Sequence, residues 1–181
     1  MSRKTTLFIA MSEDGFIAGP GDDLSFLNSI QVEGEDFGYA DFVAGIDTVI
    51  VGRRTYDVVR GMGHPYHEDK VVYILTRSPE AVGAEGDPPS VHRWDGGIAA
   101  LLGQLRSEPG ADIYCDGGAD VAGQMIAQGL IDEMVLTVFP TQLYGGTELF
   151  PGGEIPPGFE EVGRKGYHNG LVQFRYLRTW G

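Results

Sequence analysis

Three short segments of this chain set glycine beside groups that bind phosphate. Gly52-Arg53-Arg54-Thr55 follows the β-branched run Thr48–Val51 and opens a helix-compatible stretch. A helix N-terminus exposes unpaired N–H groups and partial positive charge, which favour phosphate. Gly52 permits close backbone approach, the arginines supply charge and Thr55 supplies a hydroxyl. The same residues also read as a tight turn with two solvated arginines. Leu75-Thr76-Arg77 ends the run Val71–Leu75. It puts a hydroxyl and a guanidinium at the carboxyl end of a strand, where open α/β sheets bind ligands; the alternative is a polar loop start. Asp116-Gly117-Gly118-Ala119-Asp120 lies between a strand and a helix. Its paired glycines offer bare backbone to a pyrophosphate, or simply make a turn that needs glycine. None of the three is the Gly-x-Gly-x-x-Gly fingerprint and no Walker loop occurs, so an ordinary Rossmann domain is not supported. At equivalent ends of successive strands, the three segments reinforce one another.

A fourth candidate is an acid. On a helix over Glu35–Ala44, Tyr39, Ala40, Val43 and Ala44 cluster on one side, and Asp36 falls near the middle of that stripe. A carboxylate among apolar groups is costly unless paired, protonated or used, and its pKa rises. That suits a group that helps protonate a substrate or binds a polar heterocycle. The competing reading is a first-turn acid that serves the helix dipole or caps it. His64, His67, His92 and His168 have no metal-ligand spacing, and the single cysteine, Cys115, forms no zinc site. No Ser-His-Asp set or nucleophile elbow is readable. Trp94 and Trp180 read as packing or interface residues.

The elements that must position these residues alternate. Strands are expected at Thr5–Ala10, Thr48–Val51, Val71–Leu75, Asp112–Cys115 and Met134–Phe139. Helices are expected at Glu35–Ala44, Arg54–Arg60, Ile98–Arg106 and Ala119–Gln128. This order implies an α/β fold with a mainly parallel central sheet flanked by helices. The end differs: Phe159–Tyr167 and Leu171–Leu177 are joined through His168-Asn169-Gly170, a strong signal for a C-terminal antiparallel hairpin.

The 181 residues suit a single domain spanning 1–181, and 42% apolar residues argue against disorder. The net charge of −13, from 13 basic and 26 acidic residues, argues against a general affinity for nucleic acid or anionic membrane. An acidic protein that still binds an anion must concentrate its few cations, and Arg53, Arg54 and Arg77 are where to look. No apolar run reaches the ~20 residues of a membrane span. The apolar run after Arg3-Lys4 stops at Ser12-Glu13-Asp14, too soon for a signal peptide. One cysteine allows no internal disulfide, so the expected compartment is the cytoplasm.

The pattern resembles the dihydrofolate-reductase-like superfamily, in the branch of the reductase domain of the bacterial riboflavin-biosynthesis enzyme and its stand-alone relatives. Matching residues run in family order: Met11 through Gly19, Ile46 through Tyr56, Val72 through Arg77, Gly117-Gly118-Ala119, Gly129 through Glu133, and Pro140 through Phe150. The resemblance implies an NADPH-dependent oxidoreductase and a homodimer built with strands near the C-terminus. It sets Ala10, Ile17 and Ala18 beside the nicotinamide, and Gly52, Arg53, Arg54 and Thr55 on phosphates. Leu75, Thr76 and Arg77 would lie near the adenosine 2′-phosphate. Asp116, Gly117, Gly118, Ala119 and Asp120 would lie at the pyrophosphate. Asp36 takes the place of the active-site carboxylate, and Met11, Tyr56, Phe139 and Tyr144 border the substrate. The implied activity is a pyrimidine reductase acting on the aminouracil ribosyl phosphate. A dihydrofolate or pteridine reductase and a non-catalytic NADPH-binding protein are the alternatives. Tyr144 stands where the branch often has glycine, and no binding set for a ribosyl phosphate is readable.

Overall fold

A computed structural model describes residues 3–30, 34–63, 66–78 and 88–179. Met1, Ser2, His64 and Trp180, which entered the sequence reading, lie outside these. Among the described residues the main sheet has eight strands. They are β1 (Thr5–Ser12), β3 (Ile46–Gly52), β4 (Val71–Leu75), β5 (Val91–Trp94), β6 (Asp112–Gly117), β7 (Glu133–Phe139), β9 (Phe159–Gly166) and β10 (Val172–Arg178). Their order is β5-β4-β3-β6-β1-β7-β10-β9, and the pairs from β5 to β7 are parallel. β10 pairs antiparallel with β7 and with β9. The hairpin turns at Gly170, whose φ of +85° suits glycine. A two-stranded ribbon, β2 (Phe16–Ala18) with β8 (Thr147–Glu148), stands apart from the sheet.

Central strands are buried on both faces, which is why β3 reads as an unbroken apolar run: Val49, Ile50 and Val51 are fully buried. Helices α1 (Tyr39–Ala44) and α2 (Arg53–Gly61) share one face with Val49, Val51, Tyr56 and Tyr114. Helices α3 (Ile98–Ser107) and α4 (Ala119–Ala127) cover the other. Along α3, Ile98, Leu101, Leu102 and Leu105 recur at i, i+3, i+4 and i+7 and all are buried. Each such side chain stabilises the fold by about 1.5–3 kcal/mol. Because β6 sits between β1 and β3, the chain leaves β3 through α2 toward β4 and leaves β6 through α4 toward β7. The crevice opens where those directions diverge, at the carboxyl ends of the strands.

One helix differs from its sequence expectation. The run over Glu35–Ala44 is helical only from Tyr39. Phe37 and Gly38 have φ of +57° and +79°, outside helical geometry, so Asp36 stands before the helix and not on its face. Tyr39, Ala40 and Ala44 are exposed, and it is Phe42 that packs inward, stacked on Phe8 at 4.7 Å. The reading also passed over β2, β5 and β8. β2 and β8 are too short to show a period. β5, an edge strand, carries the polar His92 and Arg93 that blur alternation.

Candidate active site

The crevice is a cavity of about 1030 Å³, and the strand order divides it in two. One half lies at the ends of β3, β4 and β5. Helix α2 begins there at Arg53 with Gly52 as its cap residue, and α4 begins at Ala119 after Gly118; neither start has a side-chain cap. The unpaired N–H groups of two first turns therefore remain for a ligand. A Cβ built on Gly118 would stand 3.0 Å from Thr55 Oγ1 and 3.7 Å from Ile17 Cδ1. A Cβ on Gly52 would stand 3.1 Å from Val121 Cγ2. Both glycines keep the two helix starts close and leave bare backbone between them. Arg53, Arg54, Thr76 and Arg77 line this half, with Leu75 and Trp94. Arg53 pairs with Asp57 along its own helix, and Arg54 Nε donates to Asp22 at 2.7 Å. Cavity, donors and charge together fit a dinucleotide with an additional phosphate.

Ala10, Ile17 and Ala18 line the middle of the cavity. The other half lies over β6, β1 and β7. Parallel register aligns Ala10 with Thr137 and Ser12 with Phe139, so Phe8, Ala10, Thr137 and Phe139 present one face. Leu24, Leu27, Asp36, Phe37 and Tyr39 close over them, with Tyr114 and Asp116 on the floor.

Asp116 is the half-buried acid of the site. It shares a face of β6 with Tyr114, two residues earlier, and protein surrounds it except where it meets the cavity. The Tyr66 hydroxyl donates to Asp116 Oδ2. The Tyr114 hydroxyl oxygen lies 2.6 Å from Asp116 Oδ1 and 3.0 Å from the Phe8 carbonyl oxygen. The Tyr114 hydroxyl donates to Asp116 Oδ1, with the Phe8 carbonyl as a second acceptor within reach. Desolvation raises the Asp116 pKa above the usual carboxylate value, against the lowering effect of the two tyrosine hydroxyls. The neighbouring groups are neutral. Burial raises Tyr66 and Tyr114 well above the usual phenol value and Tyr39 to about 12, and burial lowers His67. Tyr39 Oη and His67 Nε2 are 3.3 Å apart.

Asp36 behaves in the opposite way. It is exposed, its Oδ1 accepts from Gly38 N at 3.0 Å, and its Oδ2 accepts from Ala40 N at 2.8 Å. These bonds lower its pKa, so it is ionised at neutral pH. The expectation of a raised pKa on an apolar face is overturned, and the capping reading describes its backbone contacts. Its carboxylate still lines the cavity with lone pairs to spare.

Of the other expected site residues, four lie off the cavity wall. Met11 points into the core on the α3–α4 side, because alternation turns it away from Ala10. Tyr56 is 1% exposed and packs edge-on to Tyr66. Tyr144 is 86% exposed; its N–H donates to Asp14 Oδ2 at 2.8 Å, which fixes the backbone and leaves the ring in solvent. Gly117 supplies the bend before Gly118, with φ of +89°. Gly52, Thr55, Gly118, Ala119, Asp120 and Phe139 line the cavity as expected. The expectation that Trp94 serves packing or an interface omits its place on the cavity wall. Among the described residues no cluster of His, Cys, Asp or Glu could hold a metal.

A family model described as the RibD C-terminal domain matches residues 3–173. The chain belongs to the RibD C-terminal domain family. It is 36% identical over 151 residues to the uncharacterised protein YwjB of Bacillus subtilis (strain 168), covering 83% of this chain and 84% of that one. A putative riboflavin biosynthesis protein from Shewanella sp. PV-4 superposes with a TM-score of 0.85 at 28% identity, over 99% of this chain and all of the other. The fold is also that of dihydrofolate reductase. The Enterococcus faecalis enzyme, solved with NADP(H) and RAB-propyl, gives a TM-score of 0.67 at 19% identity over 98% of this chain and 99% of that one.

In this member of the RibD C-terminal domain family, the sequence reading missed Phe8, Leu24, Leu27, Phe37, Tyr39, Tyr114 and Thr137 on the cavity wall over β6, β1 and β7. Phe8, Tyr114 and Thr137 were visible as inward residues of strands. Nothing local marked Leu24 and Leu27, which lie near a single 3-10 turn, Ser25–Asn28.

Proposed function

We propose that this protein is an NADPH-dependent reductase that delivers hydride to a small heterocyclic substrate of the riboflavin-biosynthesis type. One observation carries the reading: two uncapped helix N-termini, flanked by arginines, open on the same cavity as a half-buried carboxyl group, Asp116, that two tyrosine hydroxyls hold and whose pKa desolvation raises. The first is chemistry for a dinucleotide; the second is chemistry for proton delivery.

The residues divide accordingly. Gly52 through Thr55 and Gly118 through Asp120 hold the phosphates through backbone N–H groups, the Thr55 hydroxyl and charge. Thr76 and Arg77 take the 2′-phosphate, with Leu75 and Trp94 against the adenosine. Ala10, Ile17 and Ala18 leave room for a flat ring at the centre of the cavity. When bound, NADPH supplies the hydride. Asp116 gives its proton to the substrate atom that gains electron density, and Tyr66 and Tyr114 then donate to the carboxylate left behind. The ionised Asp36 orients polar edges of the substrate, and Phe139 packs against it. Orientation and proton transfer together carry the chemistry.

Thermal unfolding with NADPH and NADH at matched concentrations tests the cofactor. At about 100 times its dissociation constant a ligand adds roughly 2.7 kcal/mol of stability. A large shift with NADPH and a small one with NADH is expected; no shift with either at saturation rejects the reading. NADPH oxidation with aminouracil and dihydropterin substrates then separates a pyrimidine reductase from a pteridine reductase. Tight NADPH binding without oxidation of any substrate identifies a non-catalytic binder. We further propose a homodimer through the β9–β10 face. There Val162 is 47% exposed on the edge strand β9, and Phe174 stacks on Tyr176 on the neighbouring β10. Light scattering of Val162→Glu, expected to be monomeric, tests it.

A further inference from the structure

The substrate half of the cavity differs from the cofactor half in charge. All 13 lysines and arginines lie within the described residues, so every guanidinium and lysine ammonium is placed. Three of them line the cavity: Arg53, Arg54 and Arg77, all at the ends of β3 and β4. None comes from β1, β6, β7 or the segment over them. The substrate half is instead walled by aromatic rings and aliphatic side chains, with the ionised carboxylate of Asp36 and the carboxyl group of Asp116. His67 contacts Tyr39 behind this wall, and burial keeps it neutral. The two uncapped helix starts also belong to the cofactor half.

Among the described residues, an anion brought into this half meets no guanidinium and no lysine ammonium, and the start of α1 is already occupied by Asp36, which accepts from Gly38 N and Ala40 N. It loses hydration, approaches the Asp36 carboxylate and faces aromatic rings, whose faces are negative. A neutral heterocycle with amino groups meets the reverse: rings to stack on, an ionised acceptor in Asp36 and hydroxyl groups within reach. We propose that the substrate is an uncharged amino heterocycle, and that the cleft selects against the same compound carrying a phosphate ester.

The inference deepens the reductase reading and rests on it for the word substrate, but its test reads ligand charge and not hydride transfer. The protein, saturated with oxidised cofactor, is titrated with two matched pairs: an aminouracil riboside with its phosphate ester, and a hydroxymethyl-dihydropterin with its phosphate ester. In at least one ring system the uncharged member is expected to bind at least about tenfold tighter than its ester. Asp36→Asn is expected to narrow that gap. Leu27→Arg, which sets a cation in the cavity wall, is expected to raise ester affinity above that of the parent protein. Equal binding of both members, preference for the ester, or no binding of either pair overturns the proposal. A gap unchanged in both variants overturns its electrostatic basis. Failure of the reductase reading shows separately, as an absence of stabilisation by NADPH in the same preparation.

Discussion

The hydroxyl oxygen of Tyr114 stands 2.6 Å from Oδ1 of Asp116, both on the cavity side of β6. The hydroxyl also lies 3.0 Å from the Phe8 carbonyl oxygen, and the Tyr66 hydroxyl donates to the other oxygen of the carboxyl group. Desolvation raises the Asp116 pKa against the lowering effect of these two hydroxyls.

The raised pKa has a kinetic consequence. A general acid works only while it holds its proton, so kcat is expected to hold at low pH and to fall as pH rises through the raised value. Asp116→Asn keeps the shape of the neutral acid but has no transferable proton. It is expected to lower kcat by about 10²- to 10⁴-fold and to remove that limb of the pH profile, with NADPH affinity unchanged. An Asp116→Asn enzyme with the parental profile would remove Asp116 from the proton transfer.

The same group links stability to pH. In the unfolded chain Asp116 ionises around the ordinary value of 3.8, whereas burial raises it in the fold. The stability it contributes is complete below the unfolded value and is lost as pH rises through the folded one. Asp116→Asn cannot ionise. Its melting temperature relative to the parent is therefore expected to rise with pH across that window and to level off above it. Melting curves over a pH series check this; a difference that shrinks as pH rises would contradict it.

The strand-to-helix junctions were legible because their signals are local: Gly52-Arg53-Arg54-Thr55 and Gly118-Ala119 need only their neighbours to be recognised, and both line the cavity. Asp36 was not legible in the same way. The apolar stripe assumed a helix from Glu35, but positive φ at Phe37 and Gly38 delays it to Tyr39, and this depends on how Phe37 turns to pack against Tyr167. Asp116 was visible as a residue but not as an acid with shared protons. Its Tyr66 partner is 50 positions away and the Phe8 carbonyl beside it belongs to another strand. Tyr144 shows the opposite failure: a loop residue near the site in sequence order, turned to solvent by the hold of Asp14 on its backbone.

Asp36 is ionised and keeps unused lone pairs toward the cavity. Asp36→Asn retains an acceptor but loses the charge. It is expected to raise KM for the substrate about tenfold while leaving the Kd for NADPH unchanged, the mark of lost binding and not of lost proton transfer. A fall in kcat equal to that in Asp116→Asn would instead make Asp36 part of the proton path.

Arg77 lines the cofactor half at the end of β4, beside Thr76. Arg77→Ala is expected to weaken NADPH about tenfold or more and to leave NADH affinity unaltered, since only the former carries the additional phosphate. Parallel titrations with the two cofactors read the difference directly; equal losses would move Arg77 away from the 2′-phosphate.

Arg54 and Asp22 tie the start of α2 to the 3-10 turn Pro20–Asp22, through Nε and Oδ2 at 2.7 Å. Both line the cavity, so a phosphate at the helix start and the Asp22 carboxylate compete for one guanidinium. The Arg54 side chain is 72% exposed, and screening keeps such a pair weak. Asp22→Asn is therefore expected to tighten NADPH binding by no more than about fivefold, with a smaller gain at high salt. Weaker binding in Asp22→Asn would give the pair the opposite role: Asp22 would hold Arg54 in the direction the phosphate needs, and the cost of losing that orientation would exceed the competition removed.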